Sequence, residues 1–298
     1  MKRIVFMALA LAALYAPASH ACEFCTLHNG LGQYNNQGDL VSVTYRMTTA
    51  STTVDGGSAV QPSTGEKLVI NTTQLYYQHS FSDALKVQAV LPNIQKTAST
   101  NGTTDDSSSG LGDAILMARY TFWGDATQFA AAIVGAKLPT GAKKDATGTT
   151  VFSPDLALGT GSTDPLVGIV YNHNIGNWNY SADALYKIAG KGYDGYQFGN
   201  VLNLGLNGYY GFHEYFNAGL GLAGEIMAAD KDNDGTVTGT SGTVDNTGGT
   251  VFFASPALQF TMKNFYAELA YQLPVYRNFT GTQLVVDNKL IFSVRYAF

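Results

Sequence analysis

Beyond residue 21, this chain of 298 residues contains no apolar run near the ~20 residues that a membrane-spanning helix needs. Charge is scarce as well. Asp, Glu, Lys and Arg make up 13% of the residues, and no basic run or basic helical face is present to grip nucleic acid. Cysteine occurs only at Cys22 and Cys25, so a zinc module built from two cysteine pairs lacks its second pair. No Gly-rich phosphate loop stands in the strand-then-helix setting that nucleotide binding requires. What is abundant is Gly (33), Tyr (18) and Phe (16), at a mean hydropathy of −0.01.

The first 21 residues have the three-part layout of a cleaved secretory signal: Lys2 and Arg3, an apolar stretch from Ile4 to Tyr15, and small residues before Cys22. Cys22 would then head the mature chain. Ser19 stands where a lipoprotein signal carries Leu, which argues against lipidation. Loss of the signal leaves 15 basic and 22 acidic side chains, a net charge of −7. The expected organisation is a signal over 1–21, a periplasmic segment over 22–38 and one all-β domain over 39–298.

That domain alternates with period two along nearly its whole length. From Trp178 to Ile188 one parity reads Trp, Tyr, Ala, Ala, Tyr, Ile and the other Asn, Ser, Asp, Leu, Lys. The first face suits lipid, with aromatics near both ends; the second suits a wet interior. Twelve such strands are expected at 39–50, 66–81, 84–96, 112–123, 127–138, 164–175, 177–188, 196–212, 215–228, 250–262, 265–276 and 283–298. Their connections alternate. Tight turns at 82–83, 124–126, 176, 213–214 and 263–264 separate longer loops, notably 51–65, 97–111, 139–163 and 229–249. Short periplasmic turns opposite long outer loops are the pattern of a transmembrane antiparallel up-and-down β-barrel in a Gram-negative outer membrane. No open sheet could cross lipid in its place.

The last strand places Leu290, Phe292, Val294, Tyr296 and Phe298 on one face and stops on the aromatic. This is similar to the terminal signature that barrel-insertion machinery reads, so that machinery is an expected partner, beside outer-membrane lipid and lipopolysaccharide.

Charge facing lipid at the midplane costs ~2–4 kcal/mol per basic residue, so the polar parity is expected inside. That places Arg46, Lys86, Arg119, Lys137, Lys187, Lys289 and Arg295 in the lumen. Asp113, Asp183, Glu225, Glu268 and Asp287 join them as the acidic set. Two readings stand open for these groups: a salt-bridge network that fills the barrel, or a polar constriction that selects solutes. Twelve strands leave an interior wider than the filled eight-stranded case and narrower than a general porin.

Two ordered stretches carry a family resemblance. One runs from Gly110-Leu111-Gly112-Asp113 through Ala118-Arg119-Tyr120 to Gly135-Ala136-Lys137-Leu138-Pro139-Thr140-Gly141; the other is Gly159-Thr160-Gly161-Ser162-Thr163-Asp164-Pro165-Leu166-Val167-Gly168. In this order they resemble the outer-membrane family named for the MetA pathway of phenol degradation, loosely from residue 39 to the C-terminus. The resemblance implies a barrel that passes small, often aromatic or hydrophobic, compounds. The cysteine-bearing start departs from many members. Read physically, Pro139 and Gly141 end the fifth strand, and Gly159 and Gly161 suit a tight loop, either a plain connection or one turned inward.

Two further segments invite chemistry. Cys22 and Cys25 suit a disulfide or redox pair in an oxidising compartment. With His28 they also suit a soft-ligand site for zinc or copper. Thr26 stands where haem attachment needs His. Asp230, Asp232 and Asp234, with Gly235, match the opening of a calcium loop within 229–249, but Ser241 replaces the closing Glu. A calcium ion there would order the loop or bridge lipopolysaccharide phosphates; a plain solvated acidic loop is the alternative. Catalysis finds no support, because His28, His79, His173 and His213 are scattered and none joins a nucleophile and a carboxylate. The leading expectation is therefore a non-enzymatic outer-membrane channel for small solutes. The runner-up is a structural or metal-handling barrel that uses its N-terminal CxxC.

Overall fold

The structure, a computed structural model, describes residues 38–60, 65–125, 127–142 and 155–298. The signal segment, Cys22, Cys25 and His28 lie outside the described residues. No helix among those described is long and apolar enough to cross a membrane; the crossing is made by strands.

Twelve antiparallel strands follow one another around a closed sheet. In chain order they are β1 (Leu40–Asp55), β2 (Glu66–Ser80), β3 (Leu85–Thr100), β4 (Thr103–Leu111 and Ile115–Gly124), β5 (Gln128–Lys137) and β6 (Asp164–Ile175). There follow β7 (Trp178–Lys187), β8 (Val201–His213), β9 (Phe216–Met227), β10 (Gly249–Met262), β11 (Phe265–Phe279) and β12 (Thr282–Ala297). The two pieces of β4 both pair with β3, so they form one barrel strand interrupted at 112–114. The ring closes where β1 meets β12, in a register running from Leu40↔Ala297 to Asp55↔Thr282. Closure leaves no open edge at membrane depth, which is the only way a sheet satisfies its backbone in lipid.

Register keeps the two faces apart. On β1 and β12, Ser42 lies opposite Arg295, Thr44 opposite Ser293 and Thr48 opposite Lys289, all buried. The intervening pairs, Val43 with Val294 and Tyr45 with Phe292, face out. The result is inside-out relative to a protein in water. Arg46, Lys86 and Arg119 are at most 2% exposed, whereas Val43, Leu220 and Leu258 are each about half exposed. In water so broad an apolar surface would aggregate; in a bilayer it is the solvent-matched face.

Aromatic rings collect beside the tight turns. Trp178 stacks on Tyr180 at 5.7 Å, and Phe216 packs on Phe260 at 5.5 Å, while Tyr296 stacks on Phe298 at 6.2 Å. This is the interfacial girdle of a membrane barrel.

Two expected loops turn out to be strand. The segment 97–111 forms the top of a hairpin that continues β3 through Asn101-Gly102 into β4, with φ of 51° and 84° at the two turn residues. Such angles are those of a type I′ turn, which favours Asn-Gly. Its strands carry Thr, Ser and Asp on both faces, so the apolar alternation fades there. Likewise β1 runs on to Asp55, past the expected end at residue 50. Sixteen-residue strands such as β1, β3 and β12 span ~50 Å at ~3.3 Å per residue, more than the ~30 Å bilayer core, so their outer ends stand in water.

Candidate functional site

The two motif stretches meet at one side chain, although their residues lie up to about fifty positions apart. Lys137, the last residue of β5, places Nζ 2.6 Å from Asp113 Oδ2 and 3.1 Å from Asp164 Oδ2. Lys137 is 3% exposed in its side chain and both aspartates 0%. Asp113 reaches this point because β4 is interrupted there. Its Oδ1 accepts the Gly141 N–H at 2.9 Å, and its Oδ2 accepts the Thr160 N–H at 2.8 Å. Lys137 also donates to Thr160 Oγ1. Ser162 donates to Asp164 Oδ1 at 2.6 Å, and the Gly190 N–H joins it at 2.9 Å.

The glycines of the motifs are set by proximity. A Cβ on Gly159 would overlap Asp113 Oδ1 and stand 2.7 Å from the Gly141 Cα. Backbone meets backbone here, and only hydrogen fits. Gly161, at φ +73°, supplies the left-handed turn that follows.

This node pins the segment 155–163 against the inner wall. Leu156 and Leu158 are buried with Ala50, Leu68, Ile70, Ile94 and Leu284. Lys96 Nζ donates to the carbonyls of Asp155 (3.0 Å) and Ala157 (2.7 Å), and Ser108 donates to that of Leu156 at 2.6 Å. Ala50, Ile70, Ile94 and Lys96 all belong to inward rows, so the loop turns into the outer mouth of the barrel. Of the two readings of Gly159 and Gly161, the inward one is the arrangement found.

The other sequence-chosen charges lie on the inner wall, with one exception. Arg46, Lys86, Arg119, Lys187, Glu225, Glu268, Lys289 and Arg295 are all buried, and Asp183 shares the inward row of Leu185 and Lys187. Lys289 Nζ lies 2.6 Å from Glu225 Oε1 and 4.1 Å from the centre of the Phe253 ring. Arg119 lies over Phe129 at 5.4 Å. Glu268 accepts from Tyr209 (3.0 Å) and Gln259 (2.6 Å). Asp287 instead sits at the β1–β12 bulge, where Ser51 donates to it at 2.6 Å and Arg277 lies 3.4 Å away.

In the outer loops the three aspartates do not converge on one point. Asp230 accepts from Tyr196 at 2.7 Å and from the Gly199 N–H, joining 188–200 to 228–248. Asp232 accepts the Gly235, Val237 and Thr238 N–H groups, and the Thr238 bonds foremost hold its carboxyl below the usual range. Among the described residues no group of three or more His, Cys, Asp or Glu is placed to hold a metal ion. At the periplasmic rim His79 Nδ1 meets Asp39 Oδ2 at 2.8 Å, the Tyr77 hydroxyl donates to the same oxygen at 3.3 Å, and the Ser80 N–H donates to Asp39 Oδ1 at 2.8 Å.

Sequence reasoning missed the apolar part of the wall. Val90, Ile115, Met117, Phe129, Ala131, Ile133, Leu166, Val170, Leu185 and Val201 form one buried cluster on the inner faces of β3 to β8. On these strands both parities are apolar, so hydrophobicity alone does not tell in from out. Counting back by twos from the inward charges does: Lys137 leads to Ile133, Ala131 and Phe129, and Arg119 leads to Met117 and Ile115.

A closed twelve-stranded sheet with lipid-matched outside and charged inside defines an outer-membrane β-barrel. The chain belongs to the family described as "Putative MetA-pathway of phenol degradation", which matches residues 48–276. Among solved structures it is similar to an outer membrane channel from Pseudomonas putida F1, at 18% identity and TM-score 0.67, covering 88% of this chain and 96% of that one. It is also similar to the translocator domain of the autotransporter NalP from Neisseria meningitidis, at 14% identity and TM-score 0.55, covering 92% and 93%. At these identities the likeness is one of fold. No curated protein sequence matches the chain.

Proposed function

We propose that the protein is an outer-membrane channel that passes small apolar or aromatic solutes without converting them. The observation that carries this is the apolar strip inside the barrel. These ten side chains on six neighbouring strands pack into one buried cluster, and a path that opens along them favours a solute with an aromatic ring over water and ions. The family's description, with its reference to phenol, supports the same solute class. The buried Arg46, Lys289 and Arg295 on β1 and β12 set a polar counter-wall that orients a solute bearing one polar group. The outward aromatics of the last strand, ending at Phe298, support its role as the segment that insertion machinery reads.

The test is permeation through reconstituted vesicles. Phenol should enter faster than glycerol, a smaller gap should follow Ile133→Asp, and single-channel recordings should show stepwise conductance. A folded barrel that neither conducts nor admits phenol faster than a control vesicle would end this reading.

A further inference from the structure

We propose that the outward face of β2 and β3 holds a docking site for one phosphorylated glycolipid of the outer leaflet. Strand register aligns two ladders of outward side chains across the barrel seam. One runs Leu269, Phe292, Tyr45, Thr73 and Asn93, the other Tyr271, Leu290, Met47, Asn71 and Gln95. On β11, β12 and β1 both ladders are apolar or aromatic. On β2 and β3 they turn to hydroxyl and amide, and Thr73, Asn93 and Gln95 are exposed.

Height along the barrel does not explain the change. Thr73 and Asn93 stand roughly nine or ten residues from the tight turn at 82–83, ~25 Å above it at ~3.3 Å per residue and ~40° of tilt. Leu222, Val167 and Leu273 stand roughly eight or nine residues from theirs, and all three are exposed apolar side chains. This is the upper edge of an apolar band ~25 Å tall. Asn93 and Gln95 make no side-chain hydrogen bond among the described residues, and Asn71 accepts one, from Tyr45 at 2.9 Å. Amides held against acyl chains need donors and acceptors from the lipid itself.

The occupant follows from depth and charge. An amide-linked acyl chain offers both an N–H and a C=O, the complement of Asn and Gln, whereas an ester-linked chain only accepts. Below the amides, Leu75, Val87 and Leu91 are exposed and carry the chains. Above them Lys67 shares the outward row of Asn71, ~10 Å farther out at ~3.3 Å per residue and the same tilt. Lys67 is exposed and forms no ion pair among the described residues, which places it for a phosphate on the glycolipid's sugar. A second copy of the chain fits less well. Two barrels in one membrane meet about a twofold axis along its normal, which brings Lys67 toward Lys67. The site lies on the lipid side of the wall and is independent of what crosses the lumen.

Native mass spectrometry of the purified barrel in detergent tests this, with lipid A, dephosphorylated lipid A and phosphatidylethanolamine as probes. Retention of one lipid A is expected, with phosphatidylethanolamine held about tenfold more weakly, the worth of one or two hydrogen bonds. The double variant Asn93→Leu, Gln95→Leu should weaken lipid A by about the same factor and leave phosphatidylethanolamine unchanged. Lys67→Gln should weaken lipid A and leave its dephosphorylated form as it was. Heat-modifiable migration on gels confirms that each variant is folded. Equal retention of lipid A and phosphatidylethanolamine, or unchanged lipid A binding in the folded double variant, overturns the site. Equal effects of Lys67→Gln on the two forms of lipid A overturn the phosphate contact. A dimer peak that disappears in the double variant gives this face to a second copy and overturns the proposal as well.

Discussion

Lys137 and Asp113, twenty-four residues apart, form a buried ion pair of 2.6 Å at the point where the inward loop leaves the barrel wall. Asp164 adds a second carboxylate to the same ammonium at 3.1 Å. One cation thus holds two acids, and the hydroxyls of Thr160 and Ser162 complete their coordination.

Removing the cation leaves two buried carboxylates facing each other. Breaking one partner out of such a pair costs about 3–5 kcal/mol. Lys137→Met is therefore expected to lower stability by that order in urea titrations of the barrel in lipid. Asp113→Asn keeps the shape and loses less. A Lys137→Met barrel as stable as the wild type would show that the node is ornamental.

Loop position is the second prediction. Gly159→Ala puts a methyl group where Asp113 Oδ1 and the Gly141 backbone already stand, so segment 155–163 must move away from the node. Single-channel conductance should rise, because the loop occupies the outer mouth. A conductance identical to the wild type would place the narrowest point elsewhere.

The outer face offers a third check. Leu222 is 47% exposed, on β9 between Leu206 and Ala254. Leu222→Arg should cost about 2–4 kcal/mol in bilayers, the range for a basic residue at the midplane. Leu222→Phe should cost little. Equal tolerance of the two would contradict the lipid-facing assignment.

Acid should loosen the closure of the barrel. Asp39 exchanges backbone hydrogen bonds with Phe298 at the seam, and its carboxylate accepts the Ser80 N–H at 2.8 Å and meets His79 at 2.8 Å. The Ser80 bond first, and His79 next, hold its carboxyl below the ordinary value. A depressed folded-state pKa stabilises above the unfolded value near 3.9 and loses that contribution as pH falls through the lower folded value. Unfolding rates measured from pH 5 down to pH 2 should therefore rise more steeply in the wild type than in Asp39→Asn. Parallel profiles would show that Asp39 adds nothing to the seam.

Much of the barrel was legible in the linear chain because lipid imposes a strict rule on each strand. One parity must be apolar and the other need not be, so Trp178–Ile188 or Leu290–Phe298 announce their two faces without help from distant residues. Tight turns at 82–83, 176 and 263–264 were equally readable, since few residues connect the strands there. The inward placement of Arg46, Lys86 and Arg119 followed from the cost of charge in hydrocarbon. Where the strands rise above the membrane that rule lapses. The Asn101-Gly102 hairpin therefore lacks apolar alternation, although its turn residues stand in plain view.

By itself, then, the sequence determined the strand count, the faces and the outer-membrane setting, all of which depend on neighbours two residues away. Tertiary structure decided the rest. Whether 155–163 covers the barrel or enters it depends on Lys137 finding Asp113 and Asp164. That the inward apolar side chains of β3 to β8 pack as one cluster depends on those six strands lying side by side. These are contacts between residues far apart in the chain, and no local period records them.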